Sequence, residues 1–233
     1  MKLITIDDKI HRIINSRWPT IGLFDDLVDD EDELRMLFNL EMVTNGRLNA
    51  AISRLAAIPK GEVVTGTGAH LVMAAFVHCH DQGGRFNDGR LGAWYGATDV
   101  ECAIKETCYH LTKRLSLSQG GFPQQMQMRE LITTINQPIV DIQDKQQYPD
   151  YYLSDDYQQS QAFGNSIRWP YNNTDNSQVG ICYSSVRDSN GTNVCIFKPN
   201  VIDRPITQGA HYQYQWDERG KLYVSKLTPI EVI

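Results

Sequence analysis

Apolar positions change their spacing several times along the chain, and those changes outline its elements. The clearest stripe is Val100, Ala103, Ile104, Thr107, Leu111 and Leu115, at helical spacing and opened by a cap at Thr98 or Asp99. Glu106 falls off that stripe with His110 one turn later, so the pair faces solvent or lines a cleft. Residues 49–57 predict a helix stopped by Pro59, and Asp29 and Asp30 cap an earlier one with Leu34, Leu37, Phe38 and Leu40 on its apolar side. Residues 1 to about 60 as a whole read as helical and acidic. The run 69–76 is a buried helix or an apolar strand, two forms that periodicity does not separate. Strands are expected at 93–97, 126–135 and 139–142, and Asp155 or Asp156 caps a helix running to Ile167. Residues 170–178 form a polar loop. Two β-rich runs, 179–186 and 193–198, flank Asn190-Gly191, the strongest hairpin signal in the chain. A second hairpin is expected from 211–216 and 221–227, turning near Gly220.

Strands and short helices follow one another without a regular strand–helix repeat. The pattern therefore predicts an α+β fold rather than a doubly wound one. At 233 residues, with 41% hydrophobic content, the chain can bury a real core, which excludes general disorder. A formal charge of −6 with no compensating Lys or Arg run argues against a protein that coats nucleic acid. Five cysteines at irregular spacing, with no Cys-x-x-Cys pair, fit reduced thiols in a cytoplasmic protein. His78, Cys79 and His80 lack a second cluster at ligand spacing, so no metal is expected. No window is apolar enough to span a membrane, and the first residues carry charges throughout, unlike a signal peptide.

The remaining chemistry converges on residues 83–106. Gly83 and Gly84 lead into Arg85 and Phe86, followed by the turn signal Asn87-Asp88-Gly89. A loop-borne Arg85, a strand-end Tyr95 and the helical Glu106, brought together, form a pocket for an anionic ligand. Read singly, each has a plainer account: Arg85 in a surface ion pair, Tyr95 in the core, Glu106 exposed on its helix. Glu101, at the helix start, is assigned to the dipole.

Those same residues resemble the first half of the RES domain, a family named for its Arg, Glu and Ser. The resemblance extends upstream to Met73-Ala74-Ala75-Phe76. Downstream it takes in Gly180-Ile181-Cys182-Tyr183-Ser184-Ser185-Val186-Arg187 and runs through Asn193 to Phe197-Lys198-Pro199, covering roughly residues 68–199. It implies an ADP-ribosyltransferase-like mixed sheet core over residues 61–233, with residues 1–60 as a helical extension. It implies NAD as substrate rather than cofactor, and a toxin that depletes NAD beside an Xre-like antitoxin. Transfer of ADP-ribose to a protein, or a non-catalytic binding module, are the alternatives. Glu106 is then the expected catalytic carboxylate, Arg85 the grip on the diphosphate and Tyr95 a surface for nicotinamide. Ser185 is expected to hydrogen-bond substrate or Glu106, with Ser184 competing; adjacent strand residues face opposite sides, so only one of them enters the pocket. Asn87 either caps the loop or touches substrate, His110 lines the cleft, and Arg187 supports the strand. A homo-oligomer is compatible with the sequence.

Overall fold

The computed structural model describes residues 1–17, 30–33, 35–36, 49–171 and 177–228. The expected helix beginning at Asp29 or Asp30, with Leu34, Leu37, Phe38 and Leu40, lies largely outside them, as do residues 172–176 of the polar loop.

The chain opens with strands, which corrects the expectation that everything before residue 60 is helical. Strand β1 is Leu3–Ile4 and β2 is Ile10–Asn15. The buried positions of β2, Ile10 and Ile13, are three apart and mimic a helical period. Pairing decides the matter, because β2 has a hydrogen-bonded neighbour on each side and its three isoleucines suit a pleated surface. Helix α1 (Asn49–Ala56) and helix α2 (Ala69–Val77) follow. The open choice at 69–76 thus resolves as a helix, apolar on nearly all sides because it is buried between α1 and the sheet.

Strand β3 (Trp94–Ala97) leads into α3 (Val100–Ser116), whose cap Asp99 accepts from the backbone N–H of Glu101 and Cys102. Next come β4 (Gln124–Thr133), β5 (Ile139–Asp141), a 3-10 turn at Pro149–Tyr152 and helix α4 (Gln158–Ile167). Strands β6 (Gly180–Ser184), β7 (Thr192–Ile196), β8 (Thr207–Trp216) and β9 (Leu222–Leu227) follow as two hairpins. Among the described residues nine strands form one sheet in the order β1-β5-β6-β7-β3-β2-β4-β8-β9, antiparallel throughout except for the parallel pair β5–β6. The fold is α+β with a mixed sheet.

Two layers of helix cover the sheet. On one face α1 and α2 pack over Ile10, Trp94, Leu131, Cys182, Val194 and Ile196. Across the other face α3 lies over Ile13, Ala97, Met128 and Tyr214, while α4 and the loop around Phe86 cover Ile181, Tyr183 and Cys195. Fully burying a side chain such as Phe76 or Phe86 contributes about 1.5–3 kcal/mol, so these two faces hold the layers in register.

The first hairpin differs from the two-residue turn that Asn-Gly predicts. The β6–β7 connection spans residues 185–191, closed by Ser185 N–H to Gly191 O at 2.8 Å and by Gly191 N–H to Asp188 O at 3.1 Å. Gly191 occupies the fourth position of that inner turn, where glycine is favoured without a left-handed backbone. A Cβ there would meet Cys102 Sγ at 2.3 Å, so the glycine lets α3 press directly against the hairpin. All five cysteines are free thiols.

Candidate functional site

The long β6–β7 connection and α3 together bring Ser185 to Glu106. Ser185 Oγ donates to Glu106 Oε1 at 2.6 Å and itself accepts from the N–H groups of Arg187 and Asp188, both at 3.0 Å. Asn193 on β7 adds a second donor, Nδ2 to Glu106 Oε1 at 2.8 Å. Ser184 points the other way, its hydroxyl donating to Gln143 O at 2.9 Å. The hydrogen bonds thus set Ser185, just past the end of β6, against Glu106, and turn Ser184, the last residue of β6, away from it.

His110 stands one helical turn from Glu106, with Nε2 3.9 Å from Oε2. Burial holds its imidazole below the ordinary value of 6.5; Glu106 opposes that shift, while Arg187, Arg85 and Lys113 reinforce it. Those contributions put Glu106, Arg85 and Arg187 within electrostatic reach of one ring. Tyr183, on the floor beneath, is raised by burial first, then by Glu106 and against Arg85, so it senses the same carboxylate and the same guanidinium.

Arg85 is 8% exposed. Its Nη1 donates to the carbonyls of Tyr151 and Leu153, at 2.9 and 2.8 Å, and its guanidinium lies 4.6 Å over the ring of Tyr157. Among the described residues it has no carboxylate partner, so its charge is offset by carbonyl dipoles and a ring face alone. The surface ion pair, the plainer account of Arg85, is absent among the described residues.

Tyr95 and Asn87 organise the loop that carries Arg85. Tyr95 Oη donates to Asn87 Oδ1 at 2.7 Å and accepts from Phe86 N–H at 2.9 Å. Asn87 is 1% exposed and spends its Nδ2 on the carbonyls of Asp88 and Leu91. Of the two roles expected for Asn87, its geometry supports the cap. Gly84 is required here, since a Cβ would meet Tyr95 Oη at 2.7 Å. Burial raises the Tyr95 phenol well above its usual value, so it remains a hydroxyl donor.

Several contributors were not apparent in the sequence. A strap of residues 149–157 crosses the site. Ser154 is held by Arg187, through Nη1 to Oγ and Nη2 to the carbonyl, both at 2.7 Å. Asp155 accepts from Lys113 at 2.5 Å and from the Tyr109 hydroxyl, and Tyr157 lies under Arg85. Arg187, expected only to support its strand, is thus the post to which the strap is tied, its guanidinium stacked on Tyr109. A concavity of about 600 Å³ lies beside this strap, lined by Cys108, Tyr109, Lys113, Asp155 and Leu222; it does not include Glu106, Ser185 or Arg85. Glu106 is reached instead at the surface, where its side chain is 23% exposed beside the half-exposed His110. Among the described residues no group of three or more His, Cys, Asp or Glu side chains is placed to hold a metal. No described helix is long and apolar enough to cross a membrane.

The arrangement offers a carboxylate with one oxygen clamped by two donors and, separately, a buried guanidinium stacked on Tyr157 that among the described residues has no acid partner. Such a set suits an anionic ligand whose reacting centre develops positive charge. The chain is 25% identical over 217 residues to uncharacterized protein y4oC of Sinorhizobium fredii (strain NBRC 101917 / NGR234), a match covering 93% of this chain and 86% of that protein. The family model for the RES domain matches residues 63–217, a span that contains Arg85, Tyr95, Glu106, Ser185 and Asn193, and the chain belongs to the RES domain family.

Proposed function

We propose that the protein cleaves the bond between nicotinamide and ribose in NAD, with water or phosphate accepting the ADP-ribose, and so depletes NAD as a cytoplasmic toxin. Membership of the RES family supports a toxin-like, NAD-related role at the level of the family. The observation that carries the finer reading is the double clamp on Glu106 Oε1 by Ser185 and Asn193, with Glu106 and Arg85 both acting on the His110 imidazole.

The chemistry asks for little else. The nicotinamide ring is cationic and takes the bonding electron pair as it leaves neutral, so no general acid is needed. The ribose carbon passes through an oxocarbenium-like centre, as in glycoside hydrolysis. A fixed carboxylate beside that centre stabilises the developing charge without reorganising. When water is the nucleophile, its oxygen bonds to the ribose carbon and the proton it sheds goes to Glu106 or solvent. Arg85 pairs with the diphosphate through its fork of donors, and the ring of Tyr95 or Tyr157 offers a face to cationic nicotinamide. NAD is the substrate, and no further cofactor enters. The partner in this reading is an Xre-like antitoxin.

Incubating the pure protein with NAD, with and without phosphate, tests the reading. Free nicotinamide is expected, accompanied by ADP-ribose in water or its 1-phosphate in phosphate, and Glu106→Gln should abolish the release. Label retained on protein would indicate transfer instead, and NAD bound without nicotinamide release would reject catalysis.

A further inference from the structure

We infer that Asn193 is a positioning residue for Glu106: with Ser185 it fixes Oε1, so that Oε2 is the oxygen that works on the substrate. The inference rests on the reading of Glu106 given above and adds to it the residue that aims the carboxylate and the atom that reacts.

Asn193 sits in a stretch of β7 whose other residues, Val194, Cys195 and Ile196, are apolar and buried. It pairs across the sheet with Tyr183 and Ala97, so its side chain shares their face and meets α3. At 2% exposure an amide is costly to bury unless both ends are satisfied. Both are. Nδ2 donates to Glu106 Oε1 at 2.8 Å, and Oδ1 accepts from Cys102 Sγ at 3.3 Å. Cys102 belongs to the helix that carries Glu106, one turn earlier.

The carboxylate and the thiol together set which way the amide points. Burial pushes Cys102 up to about 11, so it stays protonated and donates its S–H to the amide oxygen. An amide turned the other way would set its oxygen against the carboxylate, a repulsive contact in place of the hydrogen bond to Oε1. With the amide so directed, Oε1 of Glu106 receives two hydrogen bonds, from a hydroxyl and an amide. Among the described residues Oε2 has only the imidazole of His110, at 3.9 Å. One oxygen is locked and its twin is open on the exposed side, the arrangement that holds a carboxylate in one rotamer against a substrate.

The test uses Asn193→Ala and Asn193→Asp in the full chain, with Glu106→Gln alongside, reading nicotinamide release, affinity for NAD and the pH profile. Asn193→Ala should lower kcat by about 10²-fold with KM little changed, because the carboxylate is present but misdirected. Asn193→Asp keeps the shape and sets a second carboxylate against Oε1. The two then share a proton, and the acid limb of the pH profile moves to higher pH. A purely structural amide would lower stability in both variants without moving that limb. If Asn193→Ala fails to fold, the pH profile of Asn193→Asp decides. Unchanged kcat in the first variant, or an unshifted limb in the second, would overturn the inference provided Glu106→Gln is inactive. An active Glu106→Gln would remove the underlying reading instead.

Discussion

Arg85 Nη1 lies 2.8 Å from the carbonyl oxygen of Leu153, so the cation expected to grip a diphosphate already holds the strap that crosses the site. A guanidinium satisfied by carbonyls and an aromatic face keeps its full charge, whereas one paired with a carboxylate would be neutralised in place. Arg85→Lys retains charge but loses the planar fork and its stacking on Tyr157. Hydrogen bonds to charged groups contribute about 1.5–3 kcal/mol, so Arg85→Ala should raise the apparent KM for NAD by about ten- to hundredfold. Lys should recover only part of this. Steady-state kinetics on the two variants checks it, and an unchanged KM in Arg85→Ala would remove Arg85 from the binding site.

The strap has a second anchor whose strength should depend on salt. Asp155 takes a hydrogen bond from Lys113 first and from Tyr109 next, which holds its carboxyl well below the usual range. All of this happens at the surface, where ions screen the pair. Asp155→Asn should therefore speed amide hydrogen exchange across residues 150–157 at low salt, and high salt should narrow the gap to the wild type. Exchange that is identical in both proteins at low salt would show that Arg187 and Arg85 hold the strap without it.

Serines 184 and 185 make a paired comparison with opposite expectations. Ser185 is 1% exposed and serves two backbone donors and one carboxylate. Ser185→Ala strands buried polar groups at about 1–3 kcal/mol each, and it should lower both stability and kcat. Ser184→Ala removes one bond to Gln143 O, worth about 0.5–1.5 kcal/mol, and should leave kcat alone. Thermal melts and nicotinamide release on both variants decide the assignment, and a larger kcat loss in Ser184→Ala would reverse it.

What was legible beforehand follows from how local the signal is. The cap at Asp99, the extent of α3 and the β8–β9 hairpin turning at Gly220 all rest on residues close in sequence, and all appear as expected. Strand β2 was missed because its identity comes from partners far along the chain, Ala97 and residues 128–133, while its own buried spacing imitates a helix. The pairing of Glu106 with Ser185 was reachable only through the family resemblance, since nothing local ties residues 79 apart. Asn193 carried only a weak signal, an amide at the head of the apolar run Val194 to Phe197. The strap carried none, because Ser154 and Asp155 read equally well as an ordinary helix start.

His110 reports on the carboxylate without any need for substrate. Its folded-state value lies below 6.5 because burial and three cations disfavour the imidazolium, with Glu106 alone among the named charges working against them. Between that lowered value and 6.5 the unfolded chain binds more protons than the folded one, so this group makes stability rise with pH across the window. Half the ring is in water, which keeps the effect modest. Titration by NMR should find His110 below 6.5 in the wild type and lower still in Glu106→Gln. A rise in the variant would mean that Glu106 does not face the imidazole in solution.

Gly164 tests whether loop position and function are coupled. A Cβ at this residue of α4 would meet Phe86 O at 2.1 Å, and that contact is backbone, with no flexible tip to yield. Phe86 is fully buried and follows Arg85 directly, so the strain must move either the helix or the loop that presents the guanidinium. Overpacking of this kind costs about 1–3 kcal/mol. For a chain of this size each kcal/mol lowers Tm by about 2–4 °C. Gly164→Ala should therefore melt several degrees early and show a raised KM for NAD, through displacement of Arg85. Gly120→Ala is the matched control, because a Cβ there meets nothing within 4 Å. If Gly164→Ala melts with the wild type, α4 does not sit against the Phe86 carbonyl. If it melts early with KM unchanged, the helix yields and Arg85 stays where it is.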